Sequence, residues 1–182
     1  LVSPPRPWLH LVSQLLRSKK VSMTQYEPQR PASWHPAHIL ATWFGAGLIP
    51  KAPGTAGSLV ALPFAYVISH YLGIIGLGIA FAVVVTAGIW AAHLFSERTA
   101  SEDAGPIVID EVAGQWLTLL LVPADILFYA IGFVLFRIAD IYKPWPISWV
   151  EHRVKGGLGV MLDDILAGGL AAIILWSIWR LT

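Results

Sequence analysis

The amino-acid sequence predicts an all-α membrane protein, a bundle of about five apolar helices that cross or enter the bilayer. Hydrophobic residues make up 56% of the 182-residue chain and charged residues only 13%, with a mean hydropathy of +0.66, whereas soluble domains carry roughly 25% charged residues. Asp, Glu, Lys and Arg are absent from Ala56 to Phe95, a stretch long enough for two membrane-spanning helices of about 20 residues each. The lack of cysteine excludes disulfides, thiolate metal sites and cysteine nucleophiles.

The N-terminal part of the chain differs from the rest. We predict a poorly ordered extension over residues 1–34, because prolines and basic residues replace the apolar runs. Residues 1–22 precede the first methionine, Met23, and lack the apolar core of a secretory signal. We interpret them as extra sequence upstream of a natural start, with a basic arm at the membrane interface as the alternative. Residues 35–182 are then predicted to form a single membrane-embedded domain.

The first two apolar helices are expected over 58–72 and 75–95, with a turn among the three glycines of 73–78. A polar loop follows, and residues 112–136 are apolar again except for the break Pro123-Ala124-Asp125. This break predicts a hairpin of two short helices, the second capped by Asp125. Each half is short for a full crossing, so the hairpin either spans or re-enters the membrane. A single tilted span is the alternative, and the last helix is expected from about Asp163 to Arg180.

Basic residues set the predicted orientation, because cytoplasmic segments carry an excess of Lys and Arg. With the N-terminus in the cytoplasm and five alternating segments, only Arg180 lies on the outer side. The inner side or its boundary receives Arg6, Arg17, Lys19, Lys20, Arg30, Lys51, Arg98, Arg137, Lys143, Arg153 and Lys155.

The same topology places four polar stretches on the inner face: GLIPKAPGTAGS, IVIDEVAGQW, FRIADIYKPWP and HRVKGGLGVMLDD. They carry five carboxylates: Asp110, Glu111, Asp140, Asp163 and Asp164. Clustered carboxylates repel one another unless protons or cations lie between them, and Mg²⁺ prefers such oxygen ligands. Capping of helix N-termini is the alternative for Asp110 and Asp163. It fails for Asp140, which ends its helix and needs a basic partner such as Arg137 or Lys143.

Basic and hydroxyl groups accompany these acids. Lys155 precedes a glycine run, and APGTAGS leads directly into a helix whose N-terminus would suit an anion. An ordinary helix-entry turn is the alternative for APGTAGS, and anchoring to lipid phosphates is the alternative for Arg153. Together with the acidic cluster, these groups indicate a phosphorylated ligand.

Four stretches carry a family resemblance: FGAGLIPKAPGTAGSLVALP, IVIDEVAGQW, FRIADIYKPWPISW and VKGGLGVMLDDILAG. In order and spacing the chain resembles phosphatidylglycerophosphatase A, the bacterial Mg²⁺-dependent lipid phosphatase, from about His35 to Trp179. Lys51 departs from the family pattern and receives no role. The resemblance implies hydrolysis of phosphatidylglycerophosphate to phosphatidylglycerol and phosphate in phospholipid biosynthesis. It also implies a multi-pass protein of the bacterial inner membrane, with its active site facing the cytoplasm.

The chemistry of phosphate-monoester hydrolysis then suggests roles for the residues. The predicted metal ligands are Glu111, Asp140 and Asp164, followed by Asp110 and Asp163. The predicted catalytic residues are Asp163, Asp164 and Asp110. The predicted phosphate contacts are Arg137, Lys143, Lys155, Thr55 and Ser58. Because Asp163 and Asp164 are about 100° apart on a helix, one of them is expected either behind the ligands or as a general base.

Partners and alternatives complete the sequence-based interpretation. The expected partners are the phospholipid substrate and membrane lipids, with Mg²⁺ as cofactor; no nucleic acid or protein partner is implied. Direct attack by water and a phospho-aspartate intermediate both stay open. The alternative function is a non-enzymatic cation-binding membrane protein or transporter, in which the acids would line a path across the membrane instead of one face.

Overall fold

The computed structural model describes residues 35–99 and 106–182, and in these ranges the regular secondary structure is entirely helical, with no strand. The all-α prediction is therefore confirmed for this part of the chain. The prediction made for residues 1–34 lies outside it. A 3₁₀ turn at Ala46–Leu48 follows the first of six helices: α1 (Pro36–Ala41), α2 (Pro53–Thr99), α3 (Ile109–Leu119), α4 (Ile126–Tyr142), α5 (Ile147–Arg153) and α6 (Gly156–Leu181).

Helix α2 is a hairpin of two arms that meet at Gly73. This residue has φ 65° and ψ −165°, a backbone conformation essentially restricted to glycine. Four close pairs join the arms to α3 and its start: Gly57 with Val108, Ala61 with Trp116, Gly78 with Leu120, and Gly88 with Ile109. Residue numbers along α3 rise with those of the first arm and fall with those of the second, so the arms are antiparallel. The predicted turn is confirmed at the first of its glycines.

Two helices are candidates for membrane spans. Among the described residues, α2 (over Pro53–Leu94) and α6 are long and apolar enough to cross a membrane. Only 17% of the most apolar window of α2 is buried, against 50% for α6, and its outer side chains include Leu59, Val67, Ile75 and Val83. Such a surface is stable in hydrocarbon and costly in water. Each arm of α2 has about the 20 residues that a crossing requires.

Helices α3 and α4 form the predicted hairpin. The Asp125 carboxylate accepts hydrogen bonds from the backbone N–H groups of Leu127 (2.8 Å) and Phe128 (3.3 Å), which confirms the predicted cap of α4. Close approaches of Gly114 to Phe136 and of Gly132 to Leu119 show that the two helices are antiparallel. They have 11 and 17 residues, which is short for a full crossing. Five spanning helices are therefore not established.

Helix α6 begins at Gly156, about two turns before the predicted start at Asp163, so this predicted boundary is wrong. The glycine run that favours a loop by composition is helical here. Its small residues are needed, because a Cβ atom at Gly157 would overlap the backbone of the second α2 arm at Ile89. Tertiary packing therefore outweighs the low helix propensity of glycine. Asp163 consequently lies inside α6 and is not an N-cap.

Helix α3 lies at the centre of the bundle, with eight of its 11 residues buried. It packs most extensively on α6 and then on α2. At the crossing with α6 a Cβ atom on Gly168 would overlap the backbone of Gly114, so the two helices touch through their main chains, as small residues allow in membrane bundles. This close crossing brings the first turn of α3 beside the second and third turns of α6.

Candidate active site

A cavity of about 490 Å³ lies at the end of the bundle where α3 and α6 begin and α4 ends. Helix α5 contributes part of its wall. The structure brings all five carboxylates singled out in the sequence to this cavity: Asp110, Glu111, Asp140, Asp163 and Asp164. The basic side chains of Lys143 and Lys155 also line it. Groups far apart in the sequence thus meet in one polar site.

Three of the carboxylates form a compact group. One oxygen from each of Asp110, Glu111 and Asp164 lies within 4.8 Å of the others. Asp110 Oδ1, Glu111 Oε2 and Asp164 Oδ2 are buried and have no hydrogen-bond partner in the described part of the chain. Buried polar atoms are normally paired. Three unpartnered carboxylate oxygens grouped in this way are the hard ligands that Mg²⁺ prefers.

Burial and neighbouring negative charges disfavour the ionised form of the two acids of α3, Asp110 and Glu111. Burial raises the pKa of Asp110 well above its ordinary value, and the neighbouring carboxylates of Glu111 and Asp164 raise it further. Burial also raises the pKa of Glu111, although a hydrogen bond with Asp110 opposes this effect. Both groups therefore favour a bound proton or cation over an unpaired negative charge.

Helix α2 positions Glu111. A Cβ atom added to Gly54, in the first turn of α2, would overlap the Glu111 carboxylate. Only a glycine leaves this space open. The APGTAGS stretch thus contributes a gap against which the carboxylate packs, a role that the composition alone does not reveal.

Asp140 is held by Arg137. Arg137 Nη1 lies 2.6 Å from Asp140 Oδ2, and both side chains are mostly buried, at 14% and 12% exposure. Arg137 Nη1 also donates to Ser58 Oγ (3.3 Å), whose hydroxyl donates to the Gly54 carbonyl (2.8 Å). The expected pairing of Asp140 with a basic neighbour on α4 is confirmed for Arg137.

Lys143 pairs with Asp163 and Glu151 rather than with Asp140, which lies three residues before it in the chain. Its ammonium group lies 2.7 Å from Asp163 and 2.6 Å from Glu151 of α5. Burial by itself lowers the pKa of Lys143, but the hydrogen bonds to Asp163 and Glu151 outweigh it and raise the pKa above its ordinary value. Lys143 therefore links α4, α5 and α6 at the wall of the cavity.

The adjacent acids of α6 point to different partners. Asp164 joins the group with Asp110 and Glu111, whereas Asp163 pairs with Lys143. The backbone N–H of Asp164 also donates to Asp163 Oδ1 (3.1 Å). Their angular separation on the helix produces this division of contacts.

The remaining predicted site residues occupy different places. Lys155 lines the cavity, but Thr55, Ser58 and Arg137 are not among the described residues that do. Ser58 is fully buried behind Arg137, and Thr55 is half-buried in the first turn of α2.

Three residues at or near the site were not predicted from the sequence. Glu151 and His152 of α5 line the cavity, but a short helix beside tryptophans gives no indication that it faces a site. Gln115 is fully buried one turn after Glu111, and within the described ranges neither its amide nitrogen nor its oxygen has a hydrogen-bond partner. Its i+4 spacing from Glu111 is the only available hint.

Comparison with known proteins identifies the family. The phosphatidylglycerophosphatase A family profile matches residues 39–179. Phosphatidylglycerophosphatase A of Escherichia coli K12 is 43% identical over 170 residues, which cover 90% of this chain and 92% of the relative. The Haemophilus influenzae protein of the same name is 34% identical over 163 residues, covering 87% of this chain and all of the relative.

A relative with another name is also similar. A Bacteroides thetaiotaomicron protein, provisionally named as a phosphatidylinositol-3-phosphatase, is 40% identical over 144 residues, covering 75% of this chain and 89% of its own. No solved structure matches the chain significantly. The profile match over most of the sequence, and the acidic stretches that build the cavity within it, establish that this chain belongs to the phosphatidylglycerophosphatase A family.

Proposed function

We propose that this chain hydrolyses the phosphate monoester of phosphatidylglycerophosphate, releasing phosphatidylglycerol and phosphate, in phospholipid biosynthesis. Membership of the family, with two relatives of that name, supports the substrate. The observation that carries the chemistry is the group of three buried carboxylate oxygens without hydrogen-bond partners, beside the lysines of the cavity. Phosphate-monoester hydrolysis requires carboxylates that bind a metal cation and positively charged side chains that bind the phosphate anion.

Mg²⁺ is the cofactor that suits this site. Asp110, Glu111 and Asp164 would hold it, because their free oxygens are hard ligands. When bound, the ion would polarise a phosphoryl oxygen and lower the pKa of a coordinated water. Asp140 and Asp163 line the same cavity and flank this group, each neutralised by one basic side chain.

The other side chains of the cavity have separate proposed roles in binding the phosphate and accepting a proton. Lys143 and Lys155 provide positive charge for the phosphate oxygens. Asp163 lines the cavity with an ammonium group at 2.7 Å, a position from which its carboxylate could accept a proton from water. This arrangement makes Asp163 the general-base candidate and Asp164 the ligand.

We propose that the cavity opens on the cytoplasmic side of the bacterial inner membrane. Arg137, Lys143, Arg153 and Lys155 all lie at or near the cavity end of the bundle, and Arg180 lies at the end of α6 away from it. The positive-inside rule supports this orientation. A substrate headgroup in the inner leaflet would then reach the site.

The test is phosphate release from phosphatidylglycerophosphate by purified protein in detergent, with Mg²⁺ or with EDTA. We expect release only with Mg²⁺, and we expect Asp164→Asn to lose most of the turnover because a metal ligand becomes neutral. Asp125→Asn is the matched control, since it changes an acid at the other end of the bundle and keeps a good helix cap. Metal-independent release would contradict the proposal.

The same assay can compare different phosphorylated lipids as substrates. The Bacteroides relative motivates a second substrate, phosphatidylinositol 3-phosphate. We expect faster turnover of phosphatidylglycerophosphate, measured as kcat/KM for both lipids. A cation transporter is disfavoured because the acids gather at one end of the bundle and do not line a path through it.

A further inference from the structure

Arg137 lies behind the cavity. Within the described residues, the side chains that line the cavity include Lys143 and Lys155 but not Arg137. With a side-chain exposure of 14%, the guanidinium is mostly enclosed by protein. Accepting the proposed function, we propose that Arg137 is a positioning residue, which holds Asp140 and the proposed metal ligand Glu111 in place and does not contact the phosphate.

The first link is the ion pair with Asp140 at 2.6 Å, one turn along α4. The described residues that line the cavity do not include Arg137, so a phosphate in the cavity would meet the guanidinium only if the side chain moved, and such a movement would disturb the pair with Asp140. Losing that pair would leave a mostly buried carboxylate without its counter-charge, which is unfavourable. The existing contacts therefore oppose a direct role in phosphate binding.

The second link runs to helix α2. Arg137 Nη1 donates to Ser58 Oγ at 3.3 Å, and the Ser58 hydroxyl proton is directed to the carbonyl of Gly54 at 2.8 Å. The hydroxyl oxygen is thus free to accept from Arg137. This chain of two hydrogen bonds anchors the guanidinium to the backbone of α2 in its first turn.

The third link reaches Glu111. An added Cβ atom at Gly54 would overlap the Glu111 carboxylate and lie 3.4 Å from Arg137 Nη1. The carboxylate and the guanidinium therefore both lie against the same side of Gly54, which leaves room for them because it has no side chain. Through these links Arg137 Nη1 connects Asp140, Glu111 and the start of α2, and the shorter side chain of lysine would not place its ammonium group in the same position.

The experiment compares Arg137→Lys with Lys155→Gln in the purified, detergent-solubilised chain. Mn²⁺ binding is measured by electron paramagnetic resonance, and inhibition by inorganic phosphate is measured at saturating metal. We expect Arg137→Lys to bind Mn²⁺ about 10- to 100-fold more weakly, the usual effect of losing a residue that orients metal ligands, with unchanged phosphate inhibition. We expect the opposite from Lys155→Gln, with unchanged Mn²⁺ affinity and weaker phosphate inhibition.

Weaker phosphate inhibition together with unchanged Mn²⁺ affinity in Arg137→Lys would overturn the inference. If that variant does not fold, Ser58→Ala decides, because it keeps the pair with Asp140 and removes the anchor to α2. A loss of Mn²⁺ affinity in Ser58→Ala supports the inference, and wild-type affinity overturns it. A wild-type chain that binds no Mn²⁺ would instead refute the metal-dependent function, so the two failures are distinguishable.

Discussion

At the scale of single residues, contacts depend on side-chain direction and on available volume. Asp163 and Asp164 are neighbours in the chain but serve different partners, because successive residues of a helix point about 100° apart. Gly114 of α3 and Gly168 of α6 matter because they have no side chain. The space that a Cβ atom would need at each is occupied by backbone atoms of the facing helix. The geometry of the acidic group depends on this close crossing of α3 and α6.

The crossing gives a prediction about stability. Gly168→Ala should destabilise the protein by about 1–3 kcal/mol, the usual cost of adding a methyl group to a well-packed interface, because its Cβ would overlap the Gly114 backbone. Thermal unfolding in detergent measures the change. Gly169→Ala is the matched control, as its Cβ would meet only Leu117 Cδ2 at 4.0 Å. Equal midpoints for the two variants would contradict the packing argument.

At the scale of elements, the two hairpins place the site. The α2 hairpin returns the chain to the cavity end, and the α3–α4 hairpin carries Asp110 and Glu111 at its start and Asp140 at its end. Patterns along the sequence predict both turns, because Gly73 and Pro123-Ala124-Asp125 interrupt apolar runs. The start of α6 was not predictable in the same way, since its glycines are helical only through contact with α2.

The α2 hairpin gives a prediction at this scale. Gly73→Ala should lower the free energy of unfolding by about 1–3 kcal/mol, because an L-residue is strained at φ 65° and ψ −165°. No described atom lies within 4 Å of the added methyl group, so backbone strain accounts for the effect. Gly78→Ala, whose Cβ would meet Leu120 Cδ1 at 3.9 Å, should change the unfolding midpoint less. The reverse order of effects would refute the assigned turn conformation.

At the scale of the whole molecule, the bundle concentrates negative charge at one end. Asp110, Glu111 and Asp164 belong to two helices that meet only through tertiary packing. Their mutual repulsion opposes folding, and a bound cation relieves it. Folding and metal binding should therefore be coupled, because the unfolded chain has no such group of ligands.

This coupling predicts that divalent cations stabilise the fold. Mg²⁺ at about 100 times its Kd should add about 2.7 kcal/mol to the free energy of unfolding, seen as a higher unfolding midpoint than in EDTA. Asp110→Asn should reduce this gain, because the site loses a charged ligand. Asp125→Asn serves as the control and should retain the full gain. A similar gain in both variants would show that the cation acts elsewhere.

The all-α class, the two hairpin turns, the cap at Asp125 and the family were all predictable from the sequence alone. These features depend on composition, local backbone preference and short motifs, which neighbouring residues specify. The partner of each acid depends on tertiary structure: Asp164 joins Asp110 and Glu111, Asp163 pairs with Lys143, which also binds Glu151, and Arg137 lies behind the cavity. Such choices depend on how helices cross, and the crossing is set by side-chain volumes from distant parts of the chain that come together only on folding.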